Sequence, residues 1–203
     1  VDEDDRIIYE GRFDEDDFDA AYQAMENRYY AGEGAQFAES GNTSTQVVLA
    51  SNAGDLDRVF GELMAPDMRV DSRSGSIFPD RTTEEFRDSV KLFQAMVSSS
   101  RIWLSAIQWL SPNCAVARQE REAVGKEGEK YTWTRIYVCE FEDGLGTALC
   151  DFDVEFEEQA FAYAKERMRA AQSRLPVSNR ASVAAQRVKS ALRAGDIGAL
   201  LSC

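Results

Sequence analysis

The stretch YTWTRIYVCEFEDGLGTALCDFD, Tyr131 to Asp153, decides the fold. It reads as a long strand, a tight turn at Asp143-Gly144 and a second strand that runs directly toward a helix. Side chains alternate across a strand, so Tyr131, Trp133, Arg135, Tyr137, Cys139 and Phe141 share one face. Thr132, Thr134, Ile136, Val138 and Glu140 share the other. Bulky groups on both faces predict a central strand covered on both sides.

Working outward, two more strands are predicted upstream over residues 101–111 and 113–124, turned at Ser111-Pro112-Asn113 and at Gly125–Glu129. On the first of these, Trp103 and Trp109 are expected to share a face. Ahead of them Thr82-Thr83-Glu84-Glu85 is a capping box, and its helix presents Phe86, Val90, Phe93 and Val97. Earlier still come a strand at Met68–Ser72 and a short helix capped by Asp55, which carries Leu56, Val59, Phe60 and Leu63 and ends at Ala65-Pro66. A helix with Val47, Val48 and Leu49 closes at Gly54, and residues 33–45 read as a loop. The N-terminal part is expected to form a strand over Arg6–Phe13 and a helix with the stripe Phe18, Tyr22, Met25 and Tyr29. Downstream, residues 146–152 form the last strand and lead into a helix with Phe156, Ala160, Tyr163 and Arg167 on one side. A linker near 172–180 and a final helical stretch follow.

Composition narrows the function classes. The 203 residues carry a net charge of -13, which opposes binding to nucleic acid or to an anionic membrane. No apolar run approaches the roughly 20 residues of a membrane helix. The opening VDEDDR is acidic where a secretory signal is basic, so a cytoplasmic location is expected. The four cysteines have no close spacing and read as reduced thiols. Histidine is absent, which removes the commonest general base and metal ligand; no metal and no cofactor is expected.

Two segments recur at nearly one offset. FDEDDFDAAYQAMENRY begins at Phe13 and FDVEFEEQAFAYAKERM at Phe152; VVLASNAGDLDRVF begins at Val47 and VKSALRAGDIGALL at Val188. The repeat divides the chain into a terminal strand-helix at 1–40, one whole domain at 41–172, and a linker with helices at 173–203. The first and last pieces are expected to belong to neighbouring repeats of a longer chain.

The order of elements, with Ala53-Gly54-Asp55-Leu56, Met64-Ala65-Pro66-Asp67, Glu142-Asp143-Gly144 and Phe152-Asp153, resembles SnoaL-like, nuclear transport factor 2-like domains. It is most similar to those found in tandem in actinobacterial signalling proteins. The resemblance implies an α+β cone, a curved and mostly antiparallel sheet wrapped by helices around a pocket, commonly dimeric. It does not imply activity, because this fold hosts isomerases, cyclases, epoxide hydrolases and binding domains.

Without histidine, chemistry in such a cone falls to carboxylates, Tyr and Arg. Regular hairpins place Arg118, Trp133, Arg135 and Tyr137 on one sheet face. Asp71 and Arg73 follow the first strand near the expected pocket mouth, and Asp151 ends the last. These groups could move a proton beside a carbonyl or activate water on an epoxide; equally, they could be inter-strand charge pairs. A hairpin centred on Gly144-Leu145 puts Cys139 opposite Cys150. A loop centred between Lys126 and Glu127 puts Cys114 opposite Cys139, so that three thiols stand side by side. Two functions remain open. One is a non-catalytic interaction or small-ligand-sensing module of a cytoplasmic signalling protein, partnered by a second copy or by neighbouring domains. The other is a small isomerase, cyclase or epoxide hydrolase acting on an apolar ring compound.

Overall fold

Strand β4 (Lys130–Glu142) is the middle of a curved, unclosed five-stranded sheet. Its antiparallel neighbours are β3 (Cys114–Gly125) and β5 (Leu145–Asp153). Beyond β3 lies β2 (Val97–Ser111), antiparallel, and beyond β5 lies β1 (Met64–Ser72), the one parallel partner. The expected α+β cone, with a mostly antiparallel sheet, is therefore the fold observed. The computed structural model describes residues 10–14, 16–74 and 80–173. Two compact units divide the chain, Val1–Glu166 and Arg167–Cys203. Of the second, Arg167–Ser173 is described, as the end of helix α5 (Glu157–Ser173). The C-terminal helical stretch, Cys203 and most of the strand expected at Arg6–Phe13 lie outside the described residues; Glu10–Phe13 have no regular structure.

Turn chemistry sets the β4 register. Asp143 and Gly144 both have positive φ, 51° and 73°, which is the two-residue turn whose twist matches a hairpin. Glycine takes that conformation without strain, and aspartate is among the few other residues that tolerate it. The turn pairs Glu142 with Leu145, and an irregularity between Glu140 and Phe141 shifts the rest of the ladder by one. At the other end Gly125 N–H donates to the Glu129 carbonyl at 2.8 Å, closing a three-residue loop with Gly128 at φ 94°.

The helices depart from expectation in two places. Helix α2 runs from Ala38 to Asn52, where residues 33–45 read as a loop. Gly41, Asn42 and the hydroxyl residues are poor helix formers, and tertiary bonds override them. Thr43, Ser44 and Thr45 hydroxyls donate to the carbonyls of Glu39, Ser40 and Gly41 one turn back. Ser40 and Thr43 also donate to the carbonyls of Pro112 and Gly144, tying the helix to two hairpin turns. Gly41 is required there: a Cβ would lie 2.1 Å from the Tyr30 ring. In α1 (Phe18–Ala31) the buried side is Tyr22 and Tyr30, with Phe18 against Trp103, while Met25 is 56% exposed. The stripe thus runs at i, i+4, i+8, i+12 and passes through Glu26. This helix covers its own domain, with Tyr22 in a cluster with Val48 and Ile102.

Other signals hold. Asp55 caps the short α3 (Leu56–Arg58), which continues as a π-helical turn over Val59–Leu63. Thr82 and Glu85 form a complete capping box on α4 (Thr83–Met96). Strand β1 starts earlier than expected and includes Pro66, which an edge strand tolerates at a register break between Met64 and Arg69. The opposite edge, β2, is protected by Asn52: its side-chain amide donates to Ile102 O at 3.1 Å and accepts from Ile102 N–H at 2.8 Å. One side chain thereby satisfies both edge groups of that residue.

Two outcomes are expected from these contacts. Asn52→Ala leaves the Ile102 edge groups without protein partners and should cost about 1–3 kcal/mol in urea unfolding; a change under about 0.3 kcal/mol would contradict the edge role. Burial raises the Glu26 pKa above its ordinary 4.5, with the nearby Tyr30 and Thr45 hydroxyls opposing the shift. The folded chain holds that proton more tightly than the unfolded one, so stability falls as pH climbs from about 4.5 through the raised value. Glu26→Gln should flatten that slope in thermal unfolding between pH 4 and 7; an unchanged slope refutes the assignment.

Candidate functional site

The sheet has two chemically different faces. One, here the inner face, looks toward α2 and α4: Ile102 joins Val48, Trp109 stacks on Phe37 at 5.4 Å, and Trp133 meets Phe93 edge-on at 5.6 Å. The outer face carries α5, whose Tyr163 packs on Phe152 at 5.8 Å. Along the central strands the outer residues are dry, with Ile136, Val138 and Cys150 each 1% exposed and Phe152 3%. Their inner neighbours Arg135, Tyr137, Cys139, Leu149 and Asp151 all keep partial exposure. Side chains that keep exposure at the middle of a sheet leave that face open to a ligand.

Register decides which groups meet there. Tyr137 stands directly opposite Asp151, and Arg135 opposite Asp153, with which it forms an ion pair. Trp133 lies opposite Arg121, and the Arg121 guanidinium sits 5.6 Å from the Trp133 ring and 4.8 Å from Phe93. Directly opposed Cβ atoms are about 5 Å apart. The Asp151 carboxylate therefore rests near the sheet while the longer Tyr137 ring carries its hydroxyl further from it. Among the described residues neither side chain has a hydrogen-bond or ion-pair partner. Burial pushes the Tyr137 phenol above its usual pKa of 10; the Arg121 charge opposes that shift and Asp151 adds to it. The phenol thus stays protonated, a hydrogen-bond donor, throughout the neutral range.

Arg118 is not part of this group. It pairs with Ile136, so it lies on the outer face, 3.9 Å from Glu120. The reason is the Gly125–Glu129 closure, which centres the loop on Glu127 and slips the pairing by one residue, sending every side chain of β3 to the other face. The same slip brings Arg121 inward, although in sequence Glu120, Arg121 and Glu122 with Lys126, Glu127, Glu129 and Lys130 read as a charged, solvated hairpin tip. Only the spacing of Gly125 and Gly128 hints at it. Asp71 and Arg73 also lie outward. Asp71 accepts from Tyr163 OH at 2.9 Å and from Arg69 at 2.8 Å; Arg73 stacks over the Tyr163 ring at 5.7 Å. They tie β1 to α5. Trp133, Arg135, Tyr137 and Asp151 are the expected residues that the structure does gather.

The thiols separate because both hairpins of β4 pair one residue away from the expected register. Cys150 pairs with Val138 and Cys114 with Glu140, whereas Cys139 pairs with Ala115 and Leu149. Cys114 and Cys150 are outer and Cys139 is inner, so no row of three forms. The two tryptophans of β2 part company as well: Trp103 faces with Glu120 and Trp109 with Ala115, because a bulge lies between Leu104 and Ala106. Among the described residues no three His, Cys, Asp or Glu side chains gather as a metal site, and no helix is long and apolar enough to cross a membrane. An open notch of about 520 Å³ between the start of α1 and β2, lined by Asp16, Phe18, Asn52 and Arg101, holds none of the inner-face groups.

No family model matches the chain, and no curated protein matches it. Solved structures do match. AclR, a candidate hydroxylase from Streptomyces galilaeus, aligns at TM-score 0.50 and 15% identity over 57% of this chain and 88% of its own. AusH from Aspergillus nidulans aligns at 0.51 and 14%, over 58% and 92%. PrhC from Penicillium brasilianum aligns at 0.51 and 13%, over 66% and 91%. At such identities the shared property is the fold, a curved, mostly antiparallel sheet with helices.

Burial pushes the Cys139 thiol up to about 12 and Cys150 up to about 11. At pH 8 both are expected to react with an aromatic disulfide reagent at least about tenfold more slowly than in denaturant. Peptide mapping that finds either one modified at the denatured rate would contradict this placement.

Proposed function

We propose that this chain is a small cone-fold enzyme that moves a proton beside the carbonyl of an apolar ring compound. The observation that carries this reading is the Tyr137–Asp151 pair: two groups without partners among the described residues, directly opposed on the inner face of the central strands. A carboxylate is a competent base for a carbon acid once substrate excludes water from around it. In the proposed step an Asp151 oxygen takes the proton from the carbon next to the carbonyl. The C–H electrons form a carbon–carbon double bond, and the carbonyl electrons move onto oxygen. The Tyr137 hydroxyl donates a hydrogen bond to that oxygen as its charge grows. In a substrate with a β,γ double bond, the carbonyl re-forms, the double bond moves to the α,β position, and the proton returns from Asp151 to the γ carbon, which completes an isomerisation.

Arg135 does not take part directly, since Asp153 neutralises it. Trp133, Phe93 and Leu149 supply apolar surface for the ring. The candidate hydroxylase AclR, which shares the fold, is consistent with small-molecule chemistry in such a cone. A non-catalytic sensing role in a signalling protein rests on the sequence repeat, the absence of histidine and the acidic composition. The inner-face pair favours the enzyme.

The test is α-proton exchange of 2-tetralone in D2O followed by NMR. Wild-type protein is expected to accelerate exchange above buffer. Asp151→Asn should lower the protein-dependent rate about 100-fold or more, and Tyr137→Phe about 10- to 100-fold, with unfolding temperatures near wild type. No acceleration by the wild type, or full activity in Asp151→Asn, rejects the reading.

A further inference from the structure

Arg121 occupies an unusual position for a cation in a chain with 36 acidic residues and a net charge of -13. Its Nε is buried and has no hydrogen-bond partner, and among the described residues its guanidinium forms no ion pair. Its neighbours are instead aromatic, Phe93 at 4.8 Å and Trp133 at 5.6 Å. Stacking uses the flat faces of a guanidinium and leaves its in-plane N–H donors unspent. Leaving such a charge half-desolvated without an anion is costly, and a hydrophobic residue would fill the same space more cheaply. Other inner or outer arginines of the sheet show the contrast: Arg135 has Asp153, Arg69 has Asp71 and Glu140, and Arg101 has Glu122.

We infer that Arg121 is the anchor for a carboxylate on the ligand, so that an apolar ring acid is preferred over a neutral ring ketone that carries the same reacting centre. The inference rests on the inner face being the ligand site. Arg121 lies opposite Trp133, four residues along β4 from Tyr137. That separation is about 13 Å at the backbone. Flexible side chains lean across part of it, which suits a ligand of about two fused rings with its carboxylate at one end and its carbonyl at the other. Phe93 and Trp133 flank the anchored end, and the guanidinium edge presents paired donors to both carboxylate oxygens.

The experiment measures, by isothermal titration calorimetry, the affinities of 6-oxo-5,6,7,8-tetrahydronaphthalene-2-carboxylate and of its neutral carboxamide. Wild-type protein is expected to bind the carboxylate at least about tenfold more tightly, and Arg121→Gln to erase that preference while still binding the carboxamide. The wild-type comparison stands without any variant. Equal wild-type affinities overturn the inference, as do a preference that survives in Arg121→Gln and failure to bind either compound. Exchange of unsubstituted 2-tetralone reports the Tyr137–Asp151 chemistry separately. Exchange without a carboxylate preference removes the anchor alone; a preference without exchange removes the catalytic step alone.

Discussion

The ladder that joins β4 to β3 and β5 is the constraint on which the rest of this structure depends. Each of its ends is set by a turn, Asp143-Gly144 on one side and the Gly125–Glu129 closure on the other. Because side chains alternate with a period of two, these turns choose the contents of both faces at once. One choice yields an outer face of Ile136, Val138, Cys150 and Phe152 that α5 covers. The same choice yields an inner face of Arg121, Trp133, Tyr137 and Asp151. A slip of one residue at either turn sends the side chains of the neighbouring strand to the opposite face.

The two faces follow different electrostatic rules. Outward charges are paired: Asp71 with Arg69 and Tyr163, Glu120 with Thr134 and Ser105, Glu122 with Arg101. Several of these pairs are half-exposed, and such bonds add little stability beyond holding strand against helix. Inward, Arg135 is neutralised and Arg121, Tyr137 and Asp151 are not. Polar groups left unpaired in a partly dry space are expected where a ligand completes the set, since the fold alone gains nothing from them.

Framing helices hold the inner face in place through backbone bonds more than through apolar contact. Ser40 and Thr43 reach the hairpin turns at Pro112 and Gly144, and Asn52 closes the edge of β2. Helix α2 is thus a polar clasp across one end of the sheet. Helix α1 lies against it, with Tyr30 filling the space that Gly41 leaves open. Glu26 sits on the same seam, which makes the α1 contact sensitive to its proton.

The sequence by itself determined the strand-rich block, its antiparallel order, the caps of α3 and α4, and the central place of β4. Each of these rests on local physics: alternation, a capping box, a glycine turn. It also singled out Tyr137, Asp151, Trp133 and Arg135, since alternation within one strand and the neighbouring strand end suffice for them. Tertiary structure alone decided the rest. Whether Arg118 or Arg121 faces inward turns on where a three-residue loop centres, and one residue of uncertainty in a turn reverses a whole strand. The helix over residues 38–52 was hidden because its Ser, Thr and Gly content favours a loop until hairpin carbonyls accept its hydroxyls. Asp71 and Arg73 went outward because a parallel partner, β5, fixed the phase of β1, and a long-range pairing leaves no trace in local pattern.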